Sequence, residues 1–116
     1  MDTIQHLTDA TFAEVAAEPG ITVIDFWAGW CGPCRAMAPQ FEKAAALRPQ
    51  YRFAKVDVDA EPALAARFEI RSIPTLMVLV DGEPVAAQAG LIPADALVDA
   101  LDRIAAADSP SERKAA

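Results

Sequence analysis

Residues 21–28, ITVIDFWA, form a dense run of β-branched and aromatic side chains with a single carboxylate, Asp25, inside it. The run has no polar face, so it fits a strand covered on both sides. Such strands belong to sheets with a helix layer on each face, which narrows the fold before any other segment is read.

The flanking segments agree. IQHL near the start suits a short edge strand, and TDATFAEVAA suits a helix. Thr8 or Asp9 is its N-cap candidate, Thr11…Glu14 has capping-box spacing, and Phe12, Val15 and Ala16 share one face. Met37, Phe41, Ala44 and Ala45 mark a second helix from about Cys34 to Leu47, with Pro39 inside it as a kink. YRFAKVDV (51–58) reads as a strand and EPALAARF (61–68) as a short helix with Pro62 in its first turn. TLMVLVDGEPVAAQAG reads as a hairpin turned at Asp81-Gly82. Leu97, Val98, Leu101, Ile104 and Ala105 mark an amphipathic final helix.

The predicted order is βαβαβαββα. The fold class is therefore α/β, a mixed central sheet with helices on both faces. Its 116 residues fit one domain, predicted over 1–107, and DSPSERKAA gives a flexible tail at 108–116.

A net charge of -7 argues against a nucleic-acid footprint and against an anionic membrane surface. The apolar runs are too short to span a bilayer. The N-terminal MDTIQHLTDATF lacks the basic and apolar regions of a secretory signal, so a cytoplasmic protein is expected. Structural disulfides are rare in that compartment, which bears on the only two cysteines, in WCGPC at 30–34.

That pair can be weighed as a metal clamp, a staple or a redox dithiol. A closed zinc site takes four Cys or His ligands, and the chain offers Cys31, Cys34 and His6. DVDAE at 57–61 lacks the glycine and terminal glutamate of a calcium loop. No metal is expected. A staple closing so short a loop removes little unfolded-chain entropy, and with 53% hydrophobic residues the chain does not need one. Thiol–disulfide exchange fits best. The pair lies between a buried strand and a helix, where free N–H groups and the helix dipole favour a thiolate at Cys31. Pro33 suits a first helical turn, and Gly32 leaves room for a bulky partner.

WAGWCGPC, preceded by DFW and followed by SIPT at 72–75, resembles the thioredoxin family, over about Ile4 to Ile104. The resemblance implies a thioredoxin fold and a redox-active Cys31–Cys34 disulfide. Cys31 matches the attacking thiol; Cys34 matches the resolving thiol and is expected to be the more buried. Asp25 matches the family's buried proton acceptor, although a strand-end aspartate in solvent is the plainer alternative. Lys55 matches its lysine neighbour, although a half-exposed strand lysine is ordinarily just solvated. Ile73-Pro74 matches a cis-proline loop that pairs with an extended client, against the plainer reading of a proline opening a strand. Trp30, Gly32, Pro33, Val58, Ile73, Pro74 and Gly90 match the client groove, with a strand-terminating glycine as the alternative for Gly90.

Two positions depart from the family pattern. Ser72 replaces a common glycine and Pro93 replaces a helix-capping Ser or Thr, whereas Arg35 follows Cys34 where relatives often carry Lys or Arg. Gly-Pro between the cysteines, in place of the histidine of oxidising relatives, points to a protein-disulfide reductase. Disulfide-containing proteins are the implied substrates and a thioredoxin reductase the implied electron donor. The chain has no GxGxxG, so no cofactor of its own is expected, and a monomer is expected. The alternative is a client-binding or holdase module with incidental redox activity.

Overall fold

The computed structural model describes residues 4–107; the expected tail lies outside the described residues. The elements run β1 (Gln5–His6), α1 (Asp9–Ala16), β2 (Ile21–Trp27), α2 (Gly32–Leu47), β3 (Arg52–Asp57), α3 (Pro62–Arg67), β4 (Thr75–Val80), β5 (Glu83–Ala89) and α4 (Ala94–Ala107). This is the order read from the sequence.

The strands form one sheet in the order β1-β3-β2-β4-β5. β3 is parallel to β1 and β2, whereas β4 is antiparallel to β2 and to β5. The ITVIDFWA run is the central strand, and side-chain alternation explains why it has no polar face. Ile21 and Val23 pack with Met37 and Phe41 of α2 and with Leu97 and Leu101 of α4. Ile24 and Phe26 point the other way, against Phe12 and Val15 of α1 and Leu64 of α3. Each such side chain stabilises the fold by about 1.5–3 kcal/mol when fully buried.

Two local expectations shift. The capping box of α1 is Thr8 with Thr11, not Thr11 with Glu14. Thr8 holds the extended conformation a cap requires (φ -110°, ψ 171°); Thr11 N donates to its Oγ1 and Thr8 N donates to Thr11 Oγ1. Thr11 is already helical and cannot open a second box. α2 begins at Gly32 rather than near Cys34, because Cys31 is its N-cap and Pro33 fits the first turn.

The β4–β5 turn has positive φ at Asp81 (51°) and Gly82 (84°), as a two-residue hairpin of primed type demands. Asp81 Oδ1 accepts from Gly20 N at 2.7 Å and Asp81 N donates to Gly20 O at 2.9 Å. This clamp lies at the start of β2, the end of the sheet away from the cysteines.

Candidate active site

Residues 28–31 carry the chain from β2 into α2. Cys31 N donates to Ala28 O at 3.2 Å, closing a turn over the fully buried Ala28. Cys31 sits in extended geometry at the N-cap, and its Sγ accepts from Cys34 N at 3.1 Å. The sulfur therefore occupies the place of a capping oxygen, where unpaired amides and the dipole of a 16-residue helix favour negative charge.

Cys31 and Cys34 are joined as a disulfide, with Cα atoms 5.2 Å apart. Cys34 is not the more buried of the two: each is 4% exposed. Helical facing turns Cys34 inward, but Cys31 is covered as well, because its Sγ lies 3.7 Å from Ile73 O and both sulfurs pack with Ala28, Val58 and Ile73. Cys31 stands between Trp30, which is 69% exposed, and the exposed Gly32.

Asp25 is fully buried, so the solvent-exposed alternative does not hold. Among the described residues, neither of its carboxylate oxygens has a hydrogen-bond partner. It lies between Val23 and Trp27 on the sheet face that α2 covers, and it is in register with Lys55 on β3. Desolvation pushes its pKa up to about 6, and the charge of Lys55 pulls partly back. Lys55 is not simply solvated: its Nζ lies 5.3 Å from the centre of the Trp27 ring.

The Ile73–Pro74 peptide bond is cis. Thr75 Oγ1 donates to Ser72 O at 2.6 Å, and Gly90 N donates to Pro74 O at 2.9 Å, bracing the loop from both sides. Gly90 has φ +91°, so its glycine answers a backbone requirement. A groove of about 440 Å³ opens beside Cys31. Trp30, Val58 and Ile73 line it as the sequence suggested. Gly32 and Pro33 are instead exposed at the start of α2, and Gly90 joins the site through Pro74.

Sequence reasoning missed part of the site. Pro62, Ala65 and Ile70 extend the apolar wall, and Arg71 and Ser72 form a polar rim. Asp59, read as part of a solvated strand end, accepts from Trp30 Nε1 at 2.8 Å and so fixes the exposed indole at the groove. Asp59 is itself held by a turn in which its N–H donates to Asp57 Oδ1 at 2.9 Å. An Asp two residues before another Asp is a turn signal in the sequence, but nothing there pairs it with Trp30. Arg35 Nη1 donates to Gly29 O at 2.8 Å, tying the helix to the turn before it.

The family model described as Thioredoxin matches residues 3–103. The chain belongs to the thioredoxin family. The chain is 44% identical to a Staphylococcus aureus thioredoxin over 101 residues, covering 86% of this chain and 96% of that protein. A Streptomyces coelicolor protein named for thioredoxin 2 is 42% identical over 115 residues, 99% of this chain and 86% of its own length. A chain from a structural study of thiol resolution in yeast mitochondrial 1-Cys peroxiredoxin via glutathione/thioredoxin systems superposes with a TM-score of 0.80. It is 33% identical, with 87% of this chain and 95% of that chain covered. The reactive pair and the family together make this protein a protein-disulfide oxidoreductase that acts by thiol–disulfide exchange through Cys31 and Cys34. Among the described residues, no helix is long and apolar enough to cross a membrane.

Proposed function

We propose that the chain's residues divide the reduction of client proteins as follows, in a monomer that draws its electrons from a thioredoxin reductase. The observation that carries this reading is the Cys34 N–H directed at Cys31 Sγ at the helix N-terminus. The Cys31 thiolate attacks one sulfur of a client disulfide. A Cys31–client mixed disulfide forms, and the other client sulfur leaves as a thiolate. Cys34 then attacks Cys31 Sγ, the Cys31–Cys34 bond forms, and the second client sulfur leaves. The client gains two electrons and the dithiol loses two, which the donor restores.

Asp25 takes the proton of Cys34 as it becomes the nucleophile. A carboxylate held near pKa 6 is matched to that task at neutral pH. Lys55 limits how far burial raises it. Trp30, Gly32, Pro33, Val58 and Ile73 face the client around Cys31, and the backbone beside Pro74, backed by Gly90, pairs with an extended client segment. A reductase needs a reducing compartment, and we place the protein in the cytoplasm.

The test is insulin reduction with NADPH and a thioredoxin reductase. The protein is expected to turn over insulin, and Cys31→Ser to abolish turnover. Turnover that survives Cys31→Ser, or is absent in the wild type, defeats the reading.

A further inference from the structure

α4 begins without a side-chain cap. Pro93 accepts the first helical bond, from Leu97 N at 2.9 Å, but its ring has no oxygen to offer the first turn. Asp95 Oδ1 takes the Ala96 N–H at 3.0 Å. The buried Ala94 N–H is taken from outside the helix: it donates to Gln40 Oε1 on α2 at 2.8 Å. One turn earlier on α2, the buried Met37 accepts from Ile92 N at 3.5 Å through its Sδ. The helix that bears both cysteines thus supplies two acceptors for the connection between β5 and α4. That same connection contains Gly90, whose N–H holds Pro74 O at 2.9 Å.

We propose that Gln40 is a positioning residue for client binding. It takes the first N–H of α4, which no capping side chain at position 93 would reach since a cap serves the second or third amide, fixes residues 90–94 against α2, and through Gly90 sets where the Pro74 loop stands relative to Cys31. Met37 contributes less, since a thioether is a weak acceptor. Without Gln40 the Ala94 N–H is buried and unpaired, and the segment relaxes outward to reach water. The Gly90–Pro74 bond is strained by that movement, while the Cys34 N–H to Cys31 Sγ bond, at the other end of α2, is not. The inference rests on the reductase reading, in which the Pro74 loop contacts the client.

The experiment compares wild type, Gln40→Leu, Gln40→Asn and Gln40→Glu. KM for insulin is read beside the rate at which each reduced protein attacks 5,5′-dithiobis(2-nitrobenzoate), a small disulfide that does not need the loop. Gln40→Leu is expected to raise KM on the order of fivefold, the factor of one lost hydrogen bond, with the small-disulfide rate unchanged. Amide exchange at Gly90 should quicken in the same variant. Gln40→Glu keeps the acceptor and should stay near wild type, whereas Gln40→Asn, whose shorter side chain does not reach Ala94 N, should raise KM as the Leu variant does. An unchanged KM in Gln40→Leu, a parallel fall in the small-disulfide rate, or a raised KM in Gln40→Glu overturns the proposal. Gln40→Asn decides in its place if Gln40→Leu is too unstable to assay. Failure of the reductase reading is separate, since it shows as a wild type that does not reduce insulin.

Discussion

Cys34 N donates to Cys31 Sγ across 3.1 Å, so the residue proposed to resolve the reaction also solvates the sulfur proposed to begin it. In the reduced protein this amide and its neighbours favour a thiolate at Cys31. Cys34 lies inside the helix beside the core. Limited iodoacetamide at neutral pH should therefore carbamidomethylate Cys31 well before Cys34, as read by peptide mass spectrometry. With Cys34→Ser, a client should remain linked to Cys31 on a non-reducing gel; with Cys31→Ser no adduct should form. Equal labelling of both sulfurs, or an adduct that persists on Cys34 alone, would reverse the assigned order of attack.

Asp25 should make stability fall as pH rises. Its folded pKa near 6 stands above the ordinary 3.8, so the native state holds the proton more tightly than the unfolded chain does. The contribution is complete at pH below the ordinary value and is lost as pH passes through the folded one. A shift of about two units corresponds to about 3 kcal/mol, with no discount for solvent because the side chain is fully buried. Asp25→Asn removes the ionisation. The stability gap between oxidised variant and oxidised parent should widen, in the variant's favour, by up to about 3 kcal/mol from about pH 4 to about pH 8 in urea titrations. A gap independent of pH would mean that Asp25 titrates in the fold as it does in the unfolded chain. The same substitution should slow release of the mixed disulfide.

What the sequence disclosed was what neighbours in the chain decide. The buried run at Ile21–Trp27, the Asp81-Gly82 turn and the strand-to-helix position of Cys31 depend on local pattern, and each stands where it was expected. Pro74 and Asp25 were read through a family resemblance, because a lone X–Pro bond or a lone strand aspartate carries too little local signal. The Trp30–Asp59 bond and the Gln40 cap join residues 29 and 54 positions apart. Neither pair has a spacing rule, so only the packed fold reveals them. The α1 capping box was misread for a different reason: TDATFAE offers two overlapping boxes, and the backbone angles at Thr8 decide between them.

Arg48, Tyr51 and Asp102 should give a stability effect of opposite sign. Asp102 accepts from Arg48 Nε at 2.9 Å, from Arg48 Nη2 at 2.7 Å and from Tyr51 OH at 2.8 Å, which ties the end of α2 and the start of β3 to α4. The Arg48 hydrogen bonds, then that of Tyr51, hold its pKa down at about 2. This stability is present above the ordinary carboxylate value and is lost as pH falls through the folded one. Asp102→Asn should be less stable than the parent at neutral pH, modestly so because the pair is 30% and 40% exposed. Thermal melts should show the two converging as pH drops from about 4 to about 2. A difference that persists at the acid end would assign the effect to packing instead of charge.

Gly82 and Gly90 share a left-handed backbone, φ +84° and +91°, and differ in what surrounds them. Alanine at either position costs about 1–2 kcal/mol for the conformation alone. At Gly82 the added Cβ would also overlap the Ala16 carbonyl oxygen, a backbone atom that cannot rotate aside, whereas at Gly90 it would meet nothing within 4 Å among the described residues beyond its chain neighbours. Gly82→Ala should therefore be clearly the less stable of the two in urea titration, and it should leave insulin reduction by the folded fraction intact, being at the far end of β4. Gly90→Ala should lose less stability and more activity, since its strain falls on the bond to Pro74 O. Equal losses of stability would show that the hairpin tip shifts away from α1 at no cost.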